Sequence, residues 1–535
     1  MNFVKKKLVT IPDDKGVVIK IAGAKGERYV YKQIAYFRNE AGKPRNRTKI
    51  IGKIDPDTGK MFPNSNYFQL FNLLPTLPDV KIWDYGYTYL VLKVCRDMGL
   101  HDCLSYVFGK QTSADICVMA AYIIREGNAM DGIDDWQQRN FFPDIDRQLT
   151  SQYTSRVFAS LTLQQRMNFF KNWVKKSLTS GNVCYDVTSI SPYSQSMISV
   201  ERGYNRDGDD LAQFNLGMFC DETLKTPLYY NRYSGSLTDR TNLASVLNNA
   251  KNVGIEKVKM VLDGGFWSEE CLKNLNELCE AFTVGMPITL KESEKMNAEH
   301  GAEIMKYADE LPDHHTYCVS TEKDICGVSG KVLLFFNSQN HINQCNDLSE
   351  LIDRLKGELS ALKHYPKGKL SRFSPYFIIT KHEQDSGFDF VVDPEKIEKL
   401  RSKKGYFMLF STDMRASPAE ILDYYRAKDA DEKVFAQIKV DMDGNRIRTH
   451  SEATTNGKTF VTFIACIIRA YMLRKMSEYL ANNSTSLKKA LNQLSNIVII
   501  ANNDGEYRFA QALTKKQKAI LAAFNAVDGI VASLP

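Results

Sequence analysis

Val258-Lys259-Met260-Val261-Leu262-Asp263 is an apolar run of strand length that ends in a carboxylate and stops at Gly264-Gly265. A second such run, Val183-Cys184-Tyr185-Asp186-Val187-Thr188, also holds one carboxylate. Short apolar runs bounded by turn residues read as buried strands. Between them, residues 213–220 alternate Phe214, Leu216 and Met218 against Gln213 and Asn215, and residues 227–234 form a third strand-like run. A helix follows, with Leu243, Val246, Leu247 and Ala250 on one face and Gly254 at its end. After Asp263, Ser268-Glu269-Glu270 opens another helix. Three strands followed by alternating helix and strand predict an α/β core over residues 181–290.

The chain from Asp263 to the next carboxylate of interest is too long for one helix and one strand. Residues 291–404 carry strand-like runs at 331–337 and 376–381 with a charged helix at 347–363, and read as an inserted α+β domain. The core resumes over 405–480 with Gly405-Tyr406-Phe407-Met408-Leu409-Phe410 and a helix through Tyr425-Arg426-Ala427-Lys428-Asp429-Ala430-Asp431-Glu432. Tyr425, Lys428, Glu432 and Lys439 are offset by 0, 3, 7 and 14 positions, which at ~100° per residue places them within about 60° of one another on a helix. Asp431 lies about 120° from the Tyr425 direction, whereas Glu432 and Asp429 lie about 20° and 40° from it, so angle alone leaves Asp429 open. Two strand-borne carboxylates and one helix-borne carboxylate can hold a pair of divalent cations roughly 3.5–4 Å apart, the arrangement for in-line attack on phosphodiesters. The lysines on the stripe would neutralise phosphate. The plainer reading of the same helix is a solvated amphipathic face with a Lys428–Glu432 i,i+4 pair.

Tyr425, Glu432 and Lys439 fit a Y-x2-R-x3-E-x6-K spacing, with Lys428 where the pattern has Arg. In this the chain resembles the DDE transposases of bacterial insertion sequences. Lysine keeps the charge there but loses the bidentate fork. Tyr185-Asp186-Val187-Thr188-Ser189-Ile190-Ser191 resembles the family's first-Asp strand, and Gly203 to Gly208 with Phe214 to Met218 its second strand. Ser234-Gly235-Ser236-Leu237-Thr238-Asp239 is similar to the turn before its first core helix. Asp263-Gly264-Gly265-Phe266 resembles the second-Asp motif, although the family commonly has Arg where Gly264 stands.

The resemblance implies a ribonuclease-H-like catalytic core interrupted by the inserted domain, with first and fourth strands adjacent so that Asp186 lies beside Asp263. It implies Asp186, Asp263 and Glu432 as catalytic residues and metal ligands for two Mg2+, with Mn2+ as substitute. Tyr425, Lys428 and Lys439 would position DNA. The implied activity is metal-dependent cleavage at insertion-sequence ends and strand transfer into target DNA. The partners would be terminal inverted repeats, target DNA and a second copy in a homodimer. Two alternatives stay open: a ribonuclease-H-like nuclease that does not transpose, and a domesticated DNA-binding protein with an inactive core.

Residues 1–80 read as a β-rich basic domain. Its hairpin turns at Asn39-Glu40-Ala41-Gly42 and carries Lys43, Arg45, Arg47, Lys49 and Lys53 on one arm, with Tyr29, Tyr31, Tyr36 and Phe37 on the other. Arg45, Arg47 and Lys49 suit DNA backbone contact; a lysine-protected edge strand is the alternative. Residues 81–180 read as helical, and the resemblance implies a DNA-end-binding domain there. Leu149 to Arg156 could start a recognition helix, though hydroxyl-rich helix starts are common. Residues 481–535 form a helical C-terminal region.

A chain of 535 residues exceeds a single core. Its net charge of +7 means that any basic surface is local. Eleven cysteines without a CxxC pair suggest a reducing cytosol, in keeping with a bacterial cytoplasmic protein that joins the nucleoid when bound to DNA. Lys5-Lys6-Lys7 leads into no apolar stretch of signal-peptide length. Phe460 to Ile468, broken by Arg469, is expected to be a buried helix. His314, His315, Cys318 and Cys326 match no common zinc spacing. Trp267 is expected in the core before a base-stacking role is considered.

Overall fold

Phe214, Leu216 and Met218 do alternate along a strand, and the three strands, helix and strand read between Asn182 and Leu262 form in that order. The computed structural model describes residues 8–22, 26–39, 42–71, 81–143, 145, 147–179, 181–194, 197–383, 386–428, 434–501 and 507–534, without the side chain of Ala302. The chain divides into two units, one of residues 1–81 with 500–507 and one of the remainder.

The first unit is an antiparallel sheet in the order β1 (Val17–Ala22), β2 (Glu27–Arg38), β3 (Pro44–Ile54), β4 (Met61–Pro63). Val30, Ile51, Ile54 and Met61 form one buried face, closed by Tyr67 of α1 (Ser65–Leu70). The Asn64 side chain caps α1 by accepting from the Asn66 and Tyr67 amides. Arg45, Arg47 and Lys49 are all exposed, at alternate positions of β3 opposite Phe37, Ala35 and Lys32. Period-two spacing puts the three cations on one face of the hairpin.

In the second unit, β5 (Lys81–Asp84) leads into helices α2 (Gly86–Asp97), α3 (Leu100–Glu126), α4 (Ile133–Arg139), α5 (Ser151–Ser160) and α6 (Leu163–Ser177). The core strands are β6 (Asn182–Pro192), β7 (Phe214–Asp221) and β8 (Thr226–Ser234), then α7 (Asp239–Asn252), β9 (Lys259–Leu262), α8 (Glu269–Leu278) and β10 (Ala281–Met286). The chain continues through α9 (Lys291–His300), β11 (Thr316–Ile325), β12 (Val328–Asn337), α10 (Ser338–Ser360), α11 (Leu370–Phe373), β13 (Phe377–Lys381), β14 (Phe388–Val392) and α12 (Pro394–Arg401). Next come β15 (Tyr406–Ser411), α13 (Pro418–Ala427), β16 (Arg446–Ile447) and α14 (Glu452–Asn482). The C-terminal helices are α15 (Leu487–Ser495), α16 (Lys515–Ala522) and α17 (Val527–Ala532).

One mixed sheet runs β11-β12-β15-β10-β9-β6-β7-β8, with β16 also on β6. Strand β9 pairs in parallel with β6 and with β10, so the first and fourth core strands are neighbours. The segment read as an inserted domain is divided. Strands β11 and β12 extend this sheet beside β15, whereas β13 and β14 form a separate ribbon. That ribbon's Phe377 packs with Leu355 and Leu359 of α10 and Phe373 of α11. The division has a physical reason: Val332, Leu333, Leu334 and Phe335 are all fully buried, and a continuous apolar run needs neighbours on both faces of a sheet.

The expected buried helix is α14, in which every residue from Phe460 to Ile468 is buried and Arg469 pairs with Asp441. Among the described residues no helix is long and apolar enough to cross a membrane. A Cβ on Gly457 of α14 would stand 2.0 Å from the Phe158 carbonyl oxygen, so α5 meets α14 backbone to backbone. Nine of the eleven cysteines are buried.

Candidate active site

The parallel ladder between β6 and β9 pairs Cys184 with Val261. Two residues further along each chain stand Asp186 and Asp263, level with one another and, by the two-residue period, on the face to which Cys184 and Val261 point. Ala427 of α13 packs against Cys184 and Val261, with Tyr424 and Tyr425 beside it. Ser417 and Glu420 form a capping box and Pro418 occupies the first turn, fixing where α13 begins. Its last turn thus lies over the two carboxylates.

Tyr425 and Lys428 meet at Asp263, whose side chain is 52% exposed. The Tyr425 hydroxyl donates to Oδ1 at 3.4 Å, and Lys428 Nζ lies 3.3 Å from the same oxygen. Lys428 itself is buried. Close approach of backbone makes this possible: a Cβ on Gly285 of β10 would stand 2.8 Å from both the Tyr425 hydroxyl and the Gly264 nitrogen. Gly264 begins a 3-10 turn ending at Phe266, and an arginine of the resembling motif is replaced there by the tight Gly264–Gly285 crossing.

Asp186 is more enclosed. Burial pushes its carboxyl up to about 6; the Val187 amide, which donates to Oδ1 at 2.8 Å, and the Lys428 charge oppose that, and the Asp263 charge adds to it. Both carboxylates line an open cleft of about 640 Å³. Its wall carries two guanidinium groups to which the sequence alone assigns no role. Arg206 pairs with Asp239, which also accepts from the Tyr233 hydroxyl at 2.6 Å. Arg240 Nε donates to the Gly265 carbonyl at 2.7 Å, which ties the start of α7 to the turn after Asp263. The available signal was an arginine in each loop motif, Tyr204-Asn205-Arg206 and Thr238-Asp239-Arg240.

Glu432, with Asp429 and Asp431, lies outside the described residues. Lys439 sits in a π-helical turn, Gln437–Asp441, and its Nζ pairs with Asp207 Oδ1 at 2.5 Å. The wider winding of a π turn departs from the 100° projection that aligned Lys439 with Tyr425. Arg45, Arg47 and Lys49 belong to the first unit.

Among the described residues no group of three His, Cys, Asp or Glu side chains is placed to hold a metal ion. Cys318 lies near the start of β11 and Cys326 in the turn just after its end, and His314 faces Glu310. Trp267 is half-buried and packs edge-on against Phe410 with ring centroids 6.0 Å apart.

The sequence pattern of the transposase DDE domain family matches residues 182–468. That is more than half of the chain, which belongs to this family. Among solved structures it is similar to a piggyBac transposase in a synaptic complex with hairpin DNA, at 13% identity and a TM-score of 0.35 over 71% of this chain and 69% of that one. No curated protein matches it.

Proposed function

We propose that this chain cuts DNA at the ends of its own insertion sequence and joins those ends to target DNA, as a member of the Y-x2-R-x3-E-x6-K group. The observation that carries the reading is the level placement of Asp186 on β6 and Asp263 just past the end of the adjacent parallel β9, with Tyr425 and Lys428 meeting at Asp263. The order β6-β7-β8, α7, β9, α8, β10 supports a ribonuclease-H-like core. In this reading residues 181–290 and 405–480 are its two parts, interrupted by 291–404. Residues 1–80 are a β-rich basic domain that contacts DNA backbone, 81–180 bind the DNA ends, and 481–535 form a C-terminal helical region.

The donor chemistry of the cleft fits divalent cations. Two hard oxygen ligands stand side by side, and an enclosed Asp186 carboxylate is poorly stabilised without added positive charge. Asp186, Asp263 and Glu432 would hold the ions. Bound Mg2+ or Mn2+ would activate the attacking oxygen and neutralise the leaving one. Tyr425 orients the Asp263 carboxylate through its hydroxyl, and Lys428 supplies countercharge to the pair. Arg206 and Arg240 lie where a phosphodiester entering the cleft meets positive charge. A homodimer assembled on the paired ends would act on terminal inverted repeats and target, in a bacterial cytoplasm.

The test is cleavage and joining on a plasmid carrying the element's ends. Activity is expected with Mg2+ or Mn2+ and not with chelator, while Ca2+ supports binding only. Glu432→Gln should abolish cleavage and joining yet retain end binding, whereas Asp429→Asn and Asp431→Asn keep most activity. Undiminished cleavage in excess EDTA would overturn the metal account. An active Glu432→Gln beside an inactive Asp429→Asn would overturn the third ligand. Cleavage without joining would make the protein a nuclease; end binding without cleavage would make it a DNA-binding relative.

A further inference from the structure

A second polar cavity, of about 280 Å³, opens in the helical part of the larger unit, where the first turns of α5 and α14 come together. Ser151 and Ser155 line it from α5, and Thr454 and Lys458 from α14. Arg448 and His450, from the segment between β16 and α14, complete the basic wall, and Asp131 is the carboxylate facing them. Two helix N-termini bring positive dipole ends and hydroxyl donors to one place.

The charge here is built in. Lys458 is 2% exposed, and its ammonium donates to the Arg448 carbonyl at 3.5 Å. An ammonium has three donors, so this one long bond leaves most of its capacity for a ligand. Burial pushes Lys458 down to about 8 and the Arg448 charge acts the same way, while Asp131 and Asp443 oppose them. An anion in the cavity would relieve that burden. The Arg448 guanidinium is steadied over the Tyr193 ring, 5.6 Å from its centroid.

We propose that this cavity is a second phosphate site, which takes a backbone phosphodiester of the DNA outside the Asp186–Asp263 cleft. The proposal rests on the reading of the chain as acting on DNA. Its position suits one duplex spanning both places. Arg446 and Ile447 of β16 pair with Ser191 and Pro192, at the far end of the strand that carries Asp186. Six residues of strand from Asp186 to Pro192 cover about 20 Å, which is roughly six base-pair steps of B-DNA. Met130 and Phe158 also line the cavity, and its cationic, hydroxyl-bearing side suits a phosphate group.

The full chain should be titrated onto a labelled duplex of unrelated sequence across a salt series, with wild type, Arg448→Ala, Lys458→Met and Asp131→Asn. Arg448 is exposed, so its loss tests the site even where Lys458→Met unfolds. Arg448→Ala and folded Lys458→Met should each bind several-fold more weakly, with the log–log salt slope reduced by up to about 0.9 for one phosphate no longer neutralised. Asp131→Asn should bind more tightly, which a merely structural role would not produce. Duplex binding by wild type with an unaltered affinity and slope in Arg448→Ala and no gain in Asp131→Asn overturns the phosphate site alone. Absence of duplex binding by wild type overturns it together with the DNA reading.

Discussion

Asp186→Asn should make the protein more stable at neutral pH while removing its proposed activity. The enclosed carboxyl is displaced from an ordinary 3.8 to about 6, chiefly by burial. An acid whose folded pKa stands above its unfolded value binds its proton more tightly in the native state. The native state therefore loses stability as pH rises from about 4 through about 6, and the loss persists above that. At about 1.4 kcal/mol for each tenfold change in proton affinity, the ionised side chain costs about 3 kcal/mol at pH 7. Asparagine keeps the shape and the oxygen that accepts from the Val187 amide but cannot ionise. The variant should therefore gain about 2–3 kcal/mol at pH 7.5, a rise of a few degrees in the melting midpoint for a unit of this size. The gain should shrink steadily toward pH 4. Thermal and urea unfolding of both proteins at several pH values, without divalent metal, would measure it. A variant no more stable than wild type at pH 7.5, or a gain that does not fade in acid, refutes the reasoning. Added Mg2+ should raise the wild-type midpoint and leave the variant's nearly unchanged.

Lys428→Met removes a cation that lowers Asp186, so the acid limb of the cleavage pH profile should move upward, and Lys428→Arg should restore it. At 3.3 Å from Asp263 the attraction removed is between about 1 kcal/mol in water and about 5 at an effective dielectric of 20, with the half-exposed carboxylate favouring the lower end; an unmoved acid limb would dismiss Lys428 as countercharge. Gly285→Ala should lower stability by about 1–3 kcal/mol by overpacking and displace Tyr425, whereas Gly265→Ala, with nothing within 4 Å of its added carbon, serves as the neutral control in the same melting assay. Replacing Arg45, Arg47 and Lys49 together by Ala should weaken duplex binding and reduce its salt slope by up to about 0.9 for each phosphate that is no longer neutralised; an unchanged slope would assign that arm to a lysine-protected edge strand.

The sequence was most informative where the signal is local. A single carboxylate in an apolar run names both the strand and its unusual residue, and Asp186 and Asp263 are conspicuous for that reason. Leu243, Val246, Leu247 and Ala250 declare one face of α7 because helical spacing is a property of neighbouring residues. Burial of Phe460 to Ile468 follows from a run that is apolar at every position but Thr462. The same periodicity says nothing about partners, and so the run ending at Asn337 is legible as a strand but not as a neighbour of β15.

Tertiary packing decided the rest. Helical spacing offers Lys428 as a phosphate-binding cation or as the i,i+4 partner of Glu432; the packing of α13 on Cys184 and Val261 also carries it to Asp263. Projection on an unbroken helix aligns Lys439 with Tyr425, but the π turn and the acidic loop at Asp207 give it another partner. Arg206 and Arg240 gain a place in the cleft only when two loops fold against the turn at Gly265. The chain's chemistry-bearing residues and their secondary structure are written locally, in spacing and polarity. Which charges face one another is not, because Coulomb attraction and desolvation depend on distances between segments far apart in sequence, and only the packed sheet sets those distances.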